Sequence, residues 1–277
     1  DMEKVLEYVN NSFESAEEQA AFDVYDANNI NPLYGFFVAR AGLGASESMR
    51  SKLAEYNDPR LSRAFITKQG TSGKEQAPGT ADNAVYAPNG TPEQGTSKYG
   101  TSLFMYSISA PTLLLSYHEL KFLEAEALCR LERDAKSALK DAVVAGLLNA
   151  ENSFTISRKE LGKTLINAAS SITEAEAESY FDNTIEAKYT AEPLKTTMTQ
   201  KYFALWGASG EATESYNDVR RMKGLGENFI ELKNPNSFPL RCPYGNSDTT
   251  TNAEVKAAYG NGQYVYSENV WWAGGSR

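Results

Sequence analysis

LLLSYHELKFLEAEALCRLERDAKSALKDAVVAGLLNA, residues 113–150, predicts two consecutive helices. Apolar residues recur every three or four positions in each half, a spacing that places them along one helix face. In the first half they are Leu113, Tyr117, Leu120, Leu123 and Ala127. In the second half they are Ala135, Leu139, Ala142, Val143 and Leu147. The segment 131–134 predicts a short turn with Asp134 as the next N-cap, so the stretch forms a helical hairpin.

Small residues in this hairpin favour a close helix pair. They are Ala125, Ala127, Ala135, Ala138 and Ala142. Short side chains let two helices approach closely, as they do in tetratricopeptide-type repeats. Because one hairpin does not establish a repeat, the sequence predicts tetratricopeptide-like packing without a number of repeats.

Three more helices are predicted after the hairpin. Thr173 is the N-cap of the first, in a capping box, and this helix runs to about residue 189. Pro193 begins the second, which ends at Gly207. The third starts after Glu211 and ends at Gly224. The second helix carries Met198, Tyr202, Leu205 and Trp206 inward, and the third holds Tyr216, Val219 and Met222.

Two regions outside a helical core at about 112–224 are predicted to be irregular. Residues 68–102 contain six glycines and three prolines, and a loop of this length inside a domain is usually either functional or disordered. Residues 225–277 carry prolines and aromatic pairs and predict loop with short strands. We expect one domain over 1–277 that is mainly α, with a loop-rich part and short strands.

The charge balance excludes one class of partner. The chain has 277 residues, with 27 Lys+Arg against 36 Asp+Glu and a net charge of −9. An acidic surface repels phosphates, so nucleic acid is not expected to bind. The longest apolar run, around Leu114, is broken by Ser116 and His118 and falls short of the roughly 20 residues that span a bilayer. The two cysteines make no disulfide framework or metal-ligand spacing.

The sequence offers little for catalysis. His118 is the single histidine, and no serine or cysteine nucleophile motif accompanies it, so a packed helix residue is its expected role. Glu124 and Glu126 stand two positions apart on a predicted helix, so their side chains diverge. We expect no catalytic residues and no metal site. A glycosidase pair of carboxylates brought together by the fold stays open as an alternative.

Several segments resemble one family in their order along the chain. They are NPLY at 31–34, YNDPRL at 56–61, YHELKFLEAEA at 117–127, QKYFAL at 200–205, ESYNDVRR at 214–221, PLRCPY at 239–244 and VWW at 270–272. Together they resemble the SusD/RagB family of outer-membrane nutrient-binding lipoproteins. Their order and spacing cover most of the chain.

The resemblance implies an α-rich fold in which tetratricopeptide-like helix pairs support a loop-rich ligand-binding part. It implies that an N-terminal portion, including a lipid-bearing cysteine that anchors the protein to the membrane, is absent from this chain. Members of the family are lipoproteins on the surface of the outer membrane. They deliver glycans, or in some cases peptides, to a SusC-like TonB-dependent transporter. The resemblance implies no cofactor and no enzymatic activity.

Ligand residues are predicted from chemistry because ligand sites vary within the family. Sugar C–H faces stack on aromatic rings, and sugar hydroxyls need polar groups at the rim. A tyrosine outside a helical pattern has less reason to lie in a core. The candidates are Tyr34, Tyr86 and Tyr99, with Arg40 as a rim donor. A peptide receptor and a pure protein-interaction module are the alternatives to a glycan-binding protein.

Three arginines of the matched segments are expected to hold the fold. Arg60 follows Asp58-Pro59 in a turn and is expected to tie a loop. Arg220 and Arg221 are expected to pair with acidic residues or carbonyls near the end of a helix.

Overall fold

The computed structural model describes residues 1–40, 44–69, 74–76, 86–90, 99–162, 165–166, 169–207, 210–233 and 236–275. They form two compact units, Asp1–Leu232 and Lys233–Arg277. The architecture is mainly α with a few short strands, as predicted. In the described part of the chain, no helix is both long and apolar enough to cross a membrane.

Nine helices lie among the described residues of the first unit. They are α1 (Met2–Val9), α2 (Pro32–Arg40), α3 (Glu47–Glu55), α4 (Tyr117–Arg130), α5 (Lys136–Leu161), α6 (Glu174–Tyr180), α7 (Glu186–Ala191), α8 (Pro193–Ala204) and α9 (Ala212–Gly224). A π-helical turn, Phe181–Ile185, joins α6 to α7. Single 3-10 turns occur at Pro59–Ser62 and Leu103–Tyr106.

The strands of the first unit form two small sheets. They are β1 (Ala20–Phe22), β2 (Phe65–Gln69), β3 (Lys74–Gln76), β4 (Thr101–Ser102), β5 (Thr112–Leu115) and β6 (Leu165–Ile166). β1 pairs with β5 in antiparallel orientation. The other sheet has the order β4-β2-β3-β6, in which β3 and β6 are parallel. β3 and β4 lie within the predicted irregular region 68–102, of which residues 70–73, 77–85 and 91–98 fall outside the described residues.

The predicted hairpin is confirmed, since α4 packs on α5. The expected start of its first helix is wrong, because residues 112–115 form a strand instead. Leu113 is buried while Leu114 is exposed, which is the alternation of a strand. Ser116 then begins α4 as its N-cap, and its Oγ accepts a hydrogen bond from the Glu119 backbone N at 3.1 Å.

The cap of the second helix also differs from the prediction. Ala135, and not Asp134, occupies the N-cap of α5 and makes no side-chain cap hydrogen bond. Asp134 still contributes, because its Oδ1 accepts from the Lys136 backbone N at 3.0 Å. The hydroxyl of Tyr189 on α7 accepts from the Ala135 backbone N at 2.7 Å. The start of α5 is therefore stabilised from two directions.

Small side chains let α5 approach its neighbours, as predicted for the hairpin. Ala125 on α4 and Ala142 on α5 are fully buried in the main core cluster. On α5, Gly146 faces α8 so closely that an added Cβ would lie 2.9 Å from the Cβ of Ala204. Real Cβ atoms do not approach this closely, so the α5–α8 contact requires glycine at position 146.

The three later helices are confirmed with small differences. The Thr173 side chain accepts from the Glu176 backbone N at 3.2 Å and caps α6. α8 ends at Ala204, three residues before Gly207. Tyr216 of α9 is 46% exposed. Of the residues named for the last two helices, Met198, Leu205, Val219 and Met222 are fully or nearly fully buried.

Gly207 lies where the chain leaves α8 and turns. Its φ is +79°, a left-handed conformation that favours glycine. An added Cβ would lie 2.4 Å from Cδ2 of Phe104. The ring of Phe104 also meets the indole of the half-buried Trp206 edge to face, with centroids 5.2 Å apart. The turn therefore packs directly on the aromatic rings of the core.

A buried ion pair ties the 3-10 turn Pro59–Ser62 to α8, as expected for Arg60. Arg60 Nη2 donates to Asp58 Oδ2 at 2.6 Å, and both residues are almost completely buried. Arg60 Nη1 donates to the backbone carbonyl of Phe203 at 2.8 Å. The hydroxyl of Tyr180 on α6 donates to Asp58 Oδ2 at 3.3 Å. One buried charge pair thus connects the turn with two helices.

Of the two late arginines, one behaves as expected. Arg221 Nη2 donates to Glu126 Oε2 of α4 at 2.8 Å, which ties α9 to the hairpin. Arg220 lies over the ring of the exposed Tyr216, at 5.7 Å from its centroid. Within the described ranges Arg220 forms no ion pair, so its expected pairing with an acidic residue is not found there.

The second unit was expected to contain loop with short strands, and it contains short helices instead. They are α10 (Asn246–Thr251), α11 (Ala253–Tyr259) and a 3-10 turn, Trp271–Ala273. Asn252 caps α11, because its Oδ1 accepts from the Glu254 backbone N at 3.0 Å. The rings of Tyr244 and Tyr259 stack with centroids 4.4 Å apart. No strand occurs among the described residues 236–275.

The α5–α8 contact predicts an unusual response to an alanine substitution. Alanine is intrinsically favoured over glycine inside a helix by about 1 kcal/mol, but overpacking a core costs about 1–3 kcal/mol. We expect Gly146→Ala to lower the free energy of unfolding, measured by urea denaturation. The control is Gly224→Ala at the end of α9, where an added Cβ meets open space, and we expect it to keep stability or raise it by up to about 1 kcal/mol. A Gly146→Ala variant as stable as the parent would contradict this account.

The buried Asp58–Arg60 ion pair predicts that the losses of stability caused by substituting its two residues do not add. Arg60→Met leaves the Asp58 carboxylate buried without its counter-charge, which costs about 3–5 kcal/mol. We expect the double variant Asp58→Asn/Arg60→Met to lose less stability than Arg60→Met alone. The control, Lys195→Met, breaks an exposed pair with Glu192 and should leave the free energy of unfolding close to that of the parent. Equal losses for the single and double variants would show that Asp58 is not the source of the cost.

Candidate functional site

An open cleft of about 590 Å³ lies in the first unit. Its walls come from residues 14–19, which follow α1, from α5 and from α6. Along α5 the lining runs from Lys140 to Asn152, a distance of about 18 Å at the rise of a helix. A cleft of this size and length fits an extended ligand of small-molecule width.

Apolar and amide side chains share the α5 side of the cleft. Val144 and Leu148 are half-buried and contribute hydrocarbon. Asn149 and Asn152 stand three positions apart, so their side chains lie on one face of the helix. Each amide offers two N–H donors and one carbonyl acceptor. The half-buried ring of Tyr117 also lines the cleft. This mixture suits a ligand that has both C–H surface and hydroxyl groups.

Five exposed carboxylates line the cleft. They belong to Glu14, Glu17, Asp141, Glu174 and Glu178. In the part of the chain that the structure describes, none of the five is in an ion pair. Lys140 is the cation among the described lining residues, and its Nζ donates to Asp182 at 2.8 Å. The positive charge at the cleft is therefore already compensated.

His118 lines the cleft but belongs mainly to a buried polar cluster. It is 1% exposed, which confirms the packed role expected for it. Its Nε2 lies 3.7 Å from Glu211 Oε2, and neither atom has a hydrogen-bond partner within the described ranges. Burial, with the charges of Arg60 and Lys201, lowers the pKa of His118 to about 3. The imidazole is therefore neutral at neutral pH.

The carboxyl groups of Glu119 and Glu211 in this cluster share one hydrogen bond. Burial, the hydrogen bond with Glu211 and the charge of Glu211 raise the pKa of Glu119 to about 8. Glu119 therefore keeps its proton at pH 7 and donates it toward Glu211. Glu211 Oε1 also accepts from the Ser116 backbone N at 2.5 Å. Nearby, Lys201 on α8 pairs with Asp218 on α9 at 2.8 Å. The cluster joins α4, α8 and the start of α9.

Of the four residues predicted from the sequence, Tyr34, Tyr86 and Tyr99 are not among the residues that line this cleft. The half-buried Tyr34 donates its hydroxyl to Glu160 Oε1 at 3.2 Å, and burial and Glu160 raise its pKa. The side chain of Arg40 lies outside the described residues. Tyr86 and Tyr99 are only 8% and 7% exposed. Their contact with a ligand stays a prediction.

The burial of Tyr86 has a physical cause. The Tyr86 ring meets Phe65 edge to face at 5.3 Å, and the Arg50 guanidinium lies 5.0 Å from its centroid. A tyrosine in a loop was expected to stay out of the core, and that premise is wrong here. The amides of Asn149 and Asn152 were missed, although a polar pair three positions apart in an apolar helix was visible in the sequence.

The sequence matches a family model over residues 1–244, and that family is described as starch-binding and associating with the outer membrane. The chain belongs to this SusD-like family. No curated protein matches it. Among the described residues, no group of three or more metal-ligating side chains converges.

Solved structures agree with the SusD-like assignment. A SusD/RagB family protein from Bacteroides thetaiotaomicron is 65% identical, with a TM-score of 0.89, and the match covers 100% of this chain and 59% of that one. A SusD homologue from Bacteroides fragilis is 19% identical, with a TM-score of 0.62 and coverage of 96% and 60%. A chitin-binding protein is also 19% identical, with a TM-score of 0.62 and coverage of 98% and 59%. The last two show the fold alone, and the chain spans about 60% of the length of these relatives.

The raised pKa of Glu119 predicts how this SusD-like chain responds to pH. Some carboxyl groups have a higher pKa in the folded state than in the unfolded state. Such a group lowers the free energy of unfolding as pH rises from the unfolded-state pKa to the folded-state pKa. That window runs from 4.5 to about 8. In Glu119→Gln the side-chain amide still donates toward Glu211. The side chain at position 119 then no longer gains or loses a proton with pH. We expect the stability of the variant relative to the parent to rise with pH across this window and then to level off.

Urea denaturation at a series of pH values measures this difference. Glu55→Gln, an exposed site at the end of α3, is the control and should give a nearly flat difference curve. A flat curve for Glu119→Gln would mean that Glu119 is ionised in the folded protein.

Proposed function

We propose that this SusD-like chain captures a glycan nutrient at the surface of the outer membrane and passes it to a SusC-like TonB-dependent transporter. Family membership supports outer-membrane association and binding. The observation that carries the proposal is the open cleft on α5, because its lining combines amides, carboxylates and hydrocarbon. Those are the groups that a polyhydroxylated ligand needs.

The mode of binding follows from the two sides of the lining. The amides of Asn149 and Asn152 bind sugar hydroxyls as donors and acceptors. Val144, Leu148 and the ring of Tyr117 contact C–H faces. The imidazole at the cleft is buried and neutral, and the five carboxylates of the lining are exposed to solvent, so we propose binding without bond cleavage. Anchoring at the outer membrane would come from an N-terminal lipid, which the family resemblance implies.

The four residues chosen from the sequence form a separate proposal. The ring of Tyr34 is half-buried beside Glu160. We propose that a sugar of the ligand stacks on this ring outside the cleft, with Arg40 of the same helix as a hydrogen-bond donor. Tyr86 and Tyr99 are proposed only as residues that a ligand-induced rearrangement would expose.

A second role as a protein-interaction module is favoured by exposed apolar side chains of the first unit. Phe22 on β1 and Leu114 on β5 are exposed on paired strands, and Phe36 and Val38 are exposed on α2. Exposed apolar side chains mark a protein contact where they form a contiguous patch. The transporter is the partner we propose for it. A peptide receptor is the remaining alternative for the cleft.

Calorimetric titration of the protein with a panel of oligosaccharides and peptides tests the proposal. We expect binding of an oligosaccharide and about tenfold loss of affinity in Asn149→Ala/Asn152→Ala, since each lost hydrogen bond costs about 0.5–1.5 kcal/mol. The control Asn183→Ala/Asn217→Ala removes two exposed helical amides away from the cleft and should bind normally. We also expect no release of reducing sugar.

Each other outcome identifies a different function. Binding of peptides with no binding of glycans would establish a peptide receptor. Co-purification with a membrane barrel, without any soluble ligand, would establish an interaction module. Release of reducing sugar would establish a glycoside hydrolase.

A further inference from the structure

The first turn of α4 is bound by side chains from two other parts of the chain. The Ser116 backbone N donates to Glu211 Oε1 at 2.5 Å, and the Tyr117 backbone N donates to Gln19 Oε1 at 3.1 Å. The N–H groups at the start of a helix have no partner inside the helix, so acceptors from elsewhere can bind them. Glu211 and Gln19 therefore fix the start of α4 from outside the helix.

The same turn forms part of the wall of the cleft. Tyr117, His118 and Gln19 are all lining residues of the cleft. Tyr117 directly follows Ser116 in the chain, so a shift of the Ser116 backbone also shifts the base of the Tyr117 side chain. The position of this ring in the cleft consequently depends on the hydrogen bonds that hold the turn.

The segment that carries Glu211 has little freedom to move. Gly210 has a φ of +95°, and a Cβ added there would collide with the backbone oxygen of Leu113 at β5. This close approach and this backbone conformation both require glycine. Glu211 is itself the N-cap residue of α9 and is only 2% exposed. The carboxyl group that binds the start of α4 thus belongs to a segment packed tightly against the end of β5.

Glu211 also shares a hydrogen bond with a second buried carboxyl group, that of Glu119. The other titratable and charged groups around them are His118 of α4, Lys201 of α8, Glu214 of α9 and Arg60 of the 3-10 turn Pro59–Ser62. The two cations are paired with other carboxylates, those of Asp218 and Asp58. In the described part of the chain, no lysine or arginine forms an ion pair with Glu119 or Glu211. One shared proton therefore keeps the two groups together, because two buried carboxylates in contact repel each other.

We propose that Glu211 and Gln19 are positioning residues that hold the ring of Tyr117 in the cleft, and that the proton shared by Glu119 and Glu211 regulates this hold. With the proton in place, Glu211 stays at the Ser116 backbone N. When the proton is lost to solvent, the two carboxylates repel each other, the turn between Ser116 and Glu119 shifts, and the ring of Tyr117 moves. This inference rests on the proposed function, in which Tyr117 contacts the ligand, and adds the regulation of the same site.

Fluorine NMR of one label at position 117 tests the positioning without any ligand. The label is 4-fluorophenylalanine in place of Tyr117, which keeps an aromatic ring and has no ionisable group. We expect one resonance, well separated from that of the unfolded chain, in the labelled parent and in Glu211→Gln, whose side-chain oxygen still accepts from the Ser116 backbone N. Glu211→Ala and Gln19→Ala each remove an acceptor, so we expect the resonance to shift toward its unfolded position.

The matched control is Asn252→Ala, which removes the cap of α11 in the second unit. It deletes a helix cap, as the two alanine variants do, but it does not touch the cleft. We expect the resonance at position 117 to stay where it is in the labelled parent.

A pH titration of the same resonance tests the shared proton. Burial, the hydrogen bond with Glu211 and the charge of Glu211 raise the pKa of Glu119 to about 8, so the pair keeps its proton below this pH and loses it above. We expect a shift of the resonance with a midpoint near pH 8 in the labelled parent. Glu119→Gln cannot lose this proton and should show no such midpoint. Circular dichroism at each pH verifies that the chain stays folded.

The results separate the positioning from the proposed function. A resonance that is unchanged in Glu211→Ala and Gln19→Ala, or that moves equally in Asn252→Ala, overturns the positioning. A missing midpoint in the labelled parent, or the same midpoint in Glu119→Gln, overturns the role of the proton. Should Glu211→Ala fail to fold, Gln19→Ala at a half-buried residue and the titration of the labelled parent decide. Failure of the oligosaccharide panel overturns the proposed function alone, because the fluorine measurements use no ligand.

Discussion

The close approach of α5 to its neighbours is the constraint on which the first unit depends. Gly146 and Ala142 lie on the face of α5 that meets other helices, and no larger side chain fits at position 146. The 3.6-residue period then turns Leu148, Asn149 and Asn152 toward the cleft. One helix thus supplies both a tightly packed core face and a ligand-facing surface. Rigid packing on one side fixes the position of the amides on the other.

Buried charged groups connect the helices of this scaffold, and their burial has a thermodynamic cost. Charges taken out of water lose hydration, and pairing returns only part of that loss. The Asp58–Arg60 pair and the cluster around His118, Glu119 and Glu211 both join elements that are distant in sequence. Such contacts are directional, whereas apolar packing is not, so they fix the register of the helices. The neutral state of His118 follows from the same burial.

The helices could be predicted from the sequence, but the cleft could not. Helix periodicity and caps are local, so α5, α6 and α8 were predicted near their observed positions. Leu113 was misplaced because a run of three leucines fits a strand as well as a helix. The cleft is assembled from residues 14–19, 140–152 and 174–178, and no local pattern brings these together. Tyr86 was taken as accessible because its loop gave no sign of the aromatic cluster around Phe65.

The turn after α8 has an evolutionary consequence. Gly207 combines a left-handed backbone with a Phe104 ring in the space of its absent Cβ. Any homologue with a side chain at position 207 must therefore carry a smaller residue at position 104, and Trp206 loses its edge-to-face neighbour at the same time. Positions 104, 206 and 207 should consequently covary among homologues that keep this turn, even though 104 and 207 stand about a hundred residues apart.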